Sequence, residues 1–354
     1  MKVEHKEELK VKPKKKKVPL GIKIVLIFLV LFLILAGSVF AYLQIMLNKI
    51  NKVDNSQLDL LPRDEESFEV DDSLNVDGSD VINPEEITWD GLDINVMRDE
   101  DVINILLIGQ DRREGQGRQR SDTMIICSLN KRDKKITLSS VMRDLYVPIP
   151  GYSDNRINAA YQFGGMPLLD QVMEESLGIH IDGNVEVDFD GFINSLAVIG
   201  NLDIDLYQEE ADYLNQGNSE WNLQAGVNSL TPEQALAYAR TRYVGHSDWE
   251  RTDRQRRIVM AAFNKVKGED LGTLLDLTDE ILPNLTTDMT NMEILSLVYT
   301  VFINGMTEME SYRIPVEGTY TCETLSVGME VLVPDLNENS KYLQEYIYGK
   351  SAQQ

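Results

Sequence analysis

Twenty consecutive residues without a charge, IVLIFLVLFLILAGSVFAYL from Ile24 to Leu43, constrain this chain more than any other feature. A helix rises about 1.5 Å per residue, so the run extends roughly 30 Å, the thickness of a bilayer core. It is apolar all round, offers no polar face to water, and reads as a retained membrane anchor rather than a buried core helix. Signal peptides usually carry a shorter apolar region, about 7 to 15 residues, and only AGS at 36–38 offers a cleavage site. Residues 1–23 hold nine lysines against three glutamates, so the net charge of -24 for the whole chain becomes -30 beyond residue 23. The positive-inside rule then puts the N-terminus in the cytoplasm and residues 44–354 outside. The expected layout is a basic cytoplasmic tail over 1–20, a transmembrane helix over 21–45, an acidic extracytoplasmic linker over 46–95, a folded domain over 96–334 and a C-terminal tail over 335–354.

Charge and cysteine content exclude several classes. An outside portion this acidic does not suit nucleic acid, because phosphate-backbone binding needs an extended basic face. Cys127 and Cys322 are too few for a disulfide framework. Cys127, within TMIICSL, reads as a buried strand residue, with one bridge to Cys322 as the alternative in an oxidising compartment. From Asp54 to Asp101 seventeen acidic residues meet two basic ones, Arg63 and Arg98, with little apolar periodicity before Ile87. That composition predicts a solvated, self-repelling spacer.

Order is expected from VINILLIG, Val102–Gly109, a continuous apolar run of strand length. DTMIICSLN and KKITLSSVMRD follow as strands. MPLLDQVMEESLG places Leu168, Leu169, Val172, Met173 and Ser176 on one helical stripe and stops at Gly178. NVEVDFDGFINSLAVIGNLDIDL reads strand, helix, strand. Interleaved strands and helices predict a layered α-β-α domain of the α/β class with a central mixed sheet. LTPEQALAYARTR opens with a capping box at Thr231 and Gln234 and proline at the first helical position. SDWERTDRQRRIVMAAFNKVKG offers a second box, Ser247 with Glu250, in a helix ending at Gly268. There Arg251, Gln255 and Ile258 share one face.

Three constellations carry candidate chemistry. Six arginines and no lysine fall between Tyr238 and Arg257. Arginine presents a planar fork that grips two phosphate oxygens at once. Arg240 and Arg242 leave one helix as Arg251 enters the next, so their forks are expected to converge, while Arg254, Arg256 and Arg257 are expected to coat a solvent face. In IGQDRREGQGRQRSDTM, Asp111 ends one strand and Asp122 begins the next. Two strand-end carboxylates suit a hard cation, Mg²⁺ with Mn²⁺ as the alternative; a plain turn with a surface ion pair is the bland reading. The glycines there lack the Gly-Lys-Ser/Thr of a P-loop. Arg143 and Asp144 sit where a third apolar run ends, a position open to structural and catalytic roles alike. His5, His180 and His246 show no zinc spacing, and GHSD is no hydrolase triad.

With these residues set out, the chain resembles the LytR-CpsA-Psr family of membrane-anchored proteins of Gram-positive bacteria. The resemblance rests on IGQDR, RSDTM, MRDLYVPIPGY, RINAAYQFGG, ALAYARTRY and RTDRQRR, in order, over about Val102 to Lys267. It implies an α/β fold and a catalytic role for the 96–334 domain. The implied reaction moves a glycopolymer, a wall teichoic acid or capsular chain, from a polyprenyl pyrophosphate carrier to the muramic acid 6-hydroxyl of peptidoglycan. By the same resemblance Asp111 and Asp122 hold Mg²⁺, while Arg120, Arg143, Arg240, Arg242, Arg251 and Gln255 ring the pyrophosphate. Asp122 and Asp144 are the candidate proton acceptors beside Arg143, and an apolar tunnel takes the prenyl tail. The family's frequent Pro-Arg-Asp is Met-Arg-Asp here, and Asp-Phe-Gly-Arg is DWER; both keep their charged residues. A non-catalytic sensor of lipid-linked wall precursors and a lipid pyrophosphate hydrolase use the same pocket and are the alternatives.

Overall fold

The computed structural model describes residues 20–55, 60–63, 66–68, 81–112, 115–242, 244, 248–303, 305–306 and 308–349, without the side chains of 20–32, Asp248, Leu271 and Ile303. It divides into residues 1–46 and 47–354. The first unit holds nearly all of α1 (Leu20–Leu47), whose described side chains from Leu33 to Phe40 are exposed. Nine of the twenty residues of the expected span lie, in their side chains, outside the described set. Among the described residues no helix is long and apolar enough to cross a membrane.

The second unit is built on a seven-stranded mixed sheet. Its strands, in chain order, are β1 (Asn51–Lys52), β2 (Val102–Gln110), β3 (Ser121–Asn130), β4 (Lys135–Val141), β5 (Gly183–Asp188), β6 (Thr286–Thr287) and β7 (Glu308–Ile314). Across the sheet they lie β1-β6-β5-β2-β3-β4-β7. The pairs β1·β6, β2·β5 and β4·β7 are parallel and the others antiparallel. As the unbroken apolar run predicts, β2 is covered on both faces. Around the sheet are α2 (Asn158–Leu177), α3 (Phe189–Ile199), α4 (Gln208–Gly217), α5 (Pro232–Arg240), α6 (Asp248–Val266), α7 (Leu271–Ile281), α8 (Asn291–Val298) and α9 (Leu336–Tyr348).

Period-two alternation decides which layer each strand residue meets. Leu106, Ile108, Met124 and Ile126 pack with Leu169, Val172 and Met173 of α2 and with Leu343 and Ile347 of α9. Ile125, Leu129 and Leu138, on the other face, pack with Val259, Met260 and Phe263 of α6 and Leu297 of α8. The layered α-β-α arrangement is the expected one. A second core joins α3, α4, α5 and α6 to an antiparallel hairpin, Leu202–Leu206 with Gly226–Leu230, through Leu196, Ile204, Leu214, Tyr238 and Ile258. Its importance is positional, because it fixes α5 and α6 over the end of the sheet.

Three expectations differ from what forms. The helix expected from Met166 starts at Asn158, because chain without a clear apolar stripe is nonetheless helical and buried up to a kink at Gly165 (φ 65°), one residue before Met166 and two before Pro167. All five residues of the expected stripe are buried, and Gly178 caps the helix in the left-handed region. The segment from 335, expected as a loose tail, is α9, which buries Leu336, Leu343, Ile347 and Tyr348. The 46–95 segment is no free-standing spacer. Its β1 completes the sheet edge, Val81–Ile82 pairs with Thr324–Leu325, and Leu61, Trp89 and Ile94 pack on the main core. These apolar residues stand singly or in pairs among acidic and polar ones, so they pack on the domain without producing a periodic signal. The most acidic part of the segment, 69–80, lies outside the described residues.

Candidate functional site

Along the β2·β3 ladder Gly109 faces Thr123, and the next pair is Gln110 with Ser121. Asp122 is therefore the extra residue of a β-bulge, a device that bends a strand and re-aims a side chain. The chains approach closely there: a Cβ on Gly109 would stand 2.9 Å from Thr123 Cβ. The bulge brings Asp122 into the lining of a cavity of about 510 Å³ that Asp111, just beyond β2, also lines. Gln110 fixes the loop between them. Its amide nitrogen donates to the buried Glu186, and its oxygen accepts from the Gln119 N–H at 3.0 Å.

Arg240, Arg242, Arg251 and Gln255 line the same cavity. The Thr231–Gln234 capping box starts α5 as expected, and the helix ends at Arg240. Of the second expected box, Ser247 lies outside the described residues, and α6 runs from Asp248 to Val266. Arg251, Gln255 and Ile258, at i, i+4 and i+7, all face the cavity. What holds the α5–α6 connection is Arg254. It is 1% exposed; Nη1 donates to Thr241 O at 2.9 Å, Nη2 to Val244 O at 3.1 Å and Nε to Glu210 Oε1 at 2.8 Å. The solvent-coating role expected of three arginines is thus corrected. Arg254 and Arg256 are buried, and Arg257, half-buried, donates to Tyr238 Oη at 2.8 Å. The second core and Glu210 cover Arg254 and Arg257, and Arg256 lies beside Asp253 and Arg313; the sequence of the helix alone reveals neither arrangement.

Charges alternate around the polar end of the cavity. Arg143 Nη1 meets Asp122 Oδ1 at 2.7 Å, Arg242 Nη2 meets the same oxygen at 3.9 Å, and Arg240 Nη2 lies 3.9 Å from Asp111 Oδ2. Arg240 also stacks its guanidinium over Phe189, 4.4 Å from the ring centroid, where the polar end gives way to an apolar one. That apolar end is lined by Leu107, Ile125, Val185, Phe192, Val259 and Leu285, among others. A volume of this order, mostly apolar with a few convergent charges, is the usual form of a small-ligand site.

Three expected residues, Asp144, Arg120 and Arg143, stand off the cavity lining. Asp144 is held between guanidiniums, Arg156 Nε at 3.2 Å and Arg143 Nε at 3.5 Å, so its carboxylate orients Arg143 rather than facing the cavity. Arg120 lies on the glycine-rich loop, with Nη1 3.4 Å from Asn158 Oδ1 at the start of α2. Arg143, 10% exposed in its side chain, joins the site through Asp122. Sequence reasoning missed Phe189, Gln110, Glu186 and the Arg254 clamp. A signal existed for Glu186: Asn184, Glu186 and Asp188 alternate along one face of an otherwise apolar strand. Tyr161 Oη donates to Glu186 Oε2 at 2.8 Å.

Among the described residues there is no group of three or more His, Cys, Asp or Glu able to hold a metal ion. The donor set of Asp111 and Asp122 fits a hard divalent cation that completes its shell with phosphate oxygens and water, the habit of Mg²⁺. Cys127 and Cys322 are both free, and burial pushes the Cys127 thiol up to about 12.

Comparison with known proteins follows the same lines. The LytR_cpsA_psr family model matches residues 65–345, wider at both ends than the expected 96–334 domain. The chain is 30% identical over 297 residues to the polyisoprenyl-teichoic acid–peptidoglycan teichoic acid transferase TagU of Oceanobacillus iheyensis, covering 80% of this chain and 82% of that protein. It is 26% identical over 252 residues to the regulatory protein MsrR of Staphylococcus aureus, covering 71% and 76%. The solved structure of TagT bound to LIIa-WTA superposes with a TM-score of 0.58 at 25% identity, covering 70% of this chain and 92% of that one.

Proposed function

Because the chain belongs to the LytR-CpsA-Psr family, we propose that it is a membrane-anchored phosphotransferase that moves a glycopolymer from a polyprenyl pyrophosphate carrier to peptidoglycan. The observation that carries this reading is one cavity with two ends: guanidiniums and paired carboxylates at one, apolar side chains at the other. Such a cavity is complementary to a pyrophosphate ester with a prenyl tail. In the proposed reaction the acceptor hydroxyl, the 6-hydroxyl of a muramic acid residue, attacks the sugar-linked phosphorus. The new phosphorus–oxygen bond makes a phosphodiester, the bond to the prenyl phosphate breaks, and prenyl phosphate leaves. Negative charge grows on the transferring and departing oxygens. We assign its stabilisation to Arg240, Arg242 and Arg251, which line the cavity, and to Arg143, which reaches it through Asp122. Asp111 and Asp122 would hold Mg²⁺, which when bound supplies Lewis-acid stabilisation of the phosphoryl oxygens. Asp122 lines the cavity and Asp144 does not, so in this proposal the hydroxyl proton goes to Asp122 Oδ2, its Oδ1 being the oxygen that faces Arg143 and Arg242.

The expected anchor at Ile24–Leu43 belongs to this proposal and puts the domain on the outer face of the cell membrane, beside its lipid-linked donor and the wall. A sensing role is a second reading, favoured by the relative named as a regulatory protein. One experiment separates them. Full-length protein is mixed with a lipid-pyrophosphate-linked polymer, Mg²⁺ and peptidoglycan fragments. A covalent polymer–peptidoglycan conjugate is the expected product; free phosphorylated sugar indicates hydrolysis, and tight donor binding without turnover indicates sensing.

A further inference from the structure

The apolar run ends at Leu43, and by Asn51 the chain is already a strand of the sheet. α1 runs to Leu47 and the strand begins at Asn51, so chain length alone keeps Asn51 within about 20 Å of the end of the apolar run. The surface around residues 48–53 is built by α8 and by the chain from Pro283 to Met289 that leads into it. Asn291 Nδ2 donates to Asn48 Oδ1 at 2.7 Å, Lys52 Nζ donates to Met289 O, and Asn51 Nδ2 donates to Pro283 O at 3.1 Å. The helix turns Ile294 and Leu297 inward. Outward it shows Met292 (61% exposed) and Val298 (39%), followed directly by Tyr299 (58%), with Val53 (40%) on the adjoining chain. Single exposed apolar residues are ordinary, but three within eight positions, on the surface that also holds Asn48 and Asn51, are not. The acidic residue within that stretch, Glu293, is folded back into a capping box, its Oε2 accepting from Thr290 N at 2.7 Å and Thr290 Oγ1 at 2.8 Å. The cavity reaches the same edge: Leu285, in its apolar lining, accepts a backbone hydrogen bond from Asn51 at 3.0 Å.

We propose that α8 and the β1 edge form a lipid-docking face, in which Met292, Val298 and Tyr299 enter the outer interface of the bilayer. Tyrosine beside aliphatic side chains suits that interface, where the ring is buried and the hydroxyl stays hydrated. Docking sets the apolar end of the cavity against the membrane, so a prenyl tail passes from lipid into protein with little exposure to water. The face rests on the anchor and the lipid-linked donor proposed above.

The test uses full-length protein in a Cys322→Ser background, with an environment-sensitive fluorophore at Tyr299→Cys, reconstituted into vesicles of phosphatidylglycerol and phosphatidylethanolamine. Val227→Cys, on the 202–230 hairpin and 74% exposed, is the aqueous reference. The expected result is a blue-shifted emission at Tyr299→Cys and quenching by nitroxide-labelled lipid about twofold or more above the reference, repeated at Met292→Cys. Protein that resists alkaline extraction but shows both probes as hydrated as the reference overturns the docking face and leaves anchor and transfer standing. Protein that washes off overturns the anchor and the face together, while conjugate formation in detergent still reports on transfer.

Discussion

Arg143 reaches Asp122 with one nitrogen and Asp144 with another, so it connects the cavity to the supporting structure behind it. Arg143→Ala is expected to lower conjugate formation by about 10²-fold or more, the usual cost of one transition-state stabilising group. Far-UV circular dichroism should be unchanged. Asp144→Asn keeps Arg143 and should lose about tenfold, as expected of a positioning residue whose guanidinium partner is left less constrained. Asp170 gives a pH test away from the site. Burial lifts its carboxyl from 3.8 to about 8. The folded chain thus holds a proton that the unfolded chain sheds near pH 4. Stability from this group is fully present below that pH and is lost as the pH rises toward 8. Asp170→Asn should flatten the melting profile across that window and raise Tm by about 2–4 °C at pH 8.5. At this scale the convergence of Arg240, Arg242, Arg251, Asp111 and Asp122 was legible from their crowding at the ends of successive elements, although arginine at a helix end and aspartate in a turn each have ordinary structural uses. Arg254 was misjudged because a guanidinium facing solvent and one facing a second core have the same sequence pattern.

Helix α6 does two things at once: one face supplies Arg251 and Gln255 to the cavity, and Arg254 ties down the connection that carries Arg242. Arg254→Met leaves Glu210 buried beside fewer partners and should cost about 3 kcal/mol in chemical denaturation. Adding Glu210→Gln is expected to recover part of that stability but not the transfer rate, since the Thr241 and Val244 carbonyls still lack their donor. Equal recovery of both would assign Arg254 to stability alone. The bulge is equally specific. Gly109→Ala forces a Cβ against Thr123 and should disturb Asp111 and Asp122 together, lowering activity more than Tm. Capping boxes, glycine stops and continuous apolar strands made most of these elements legible. The first half of α2 was not, because its burial comes from what packs around it rather than from an apolar stripe of its own.

For the molecule as a whole, α9 decides where the domain ends. Burying Leu336, Leu343, Ile347 and Tyr348 is worth about 1.5–3 kcal/mol each, a sum comparable to the net stability of a typical domain. A chain ending after Pro334 should fail to fold, and one ending after Gly349 should fold, as read by soluble yield and near-ultraviolet circular dichroism. The interleaving of strands and helices made the layered class legible. The sheet order was not, since β1 and β6 are two residues long and owe their place to neighbours rather than to a pattern of their own. The ion pairs of the cavity have one more effect. Asp111 and Asp122 act as tethered counterions for Arg240, Arg143 and Arg242, so a simple salt gains nothing by entering. A guest that brings several phosphate oxygens at once, with a cation for the displaced carboxylates, is expected to exchange more favourably than a single small anion. In the proposed transferase that selectivity is what would keep the site clear of other polyanions between turnovers.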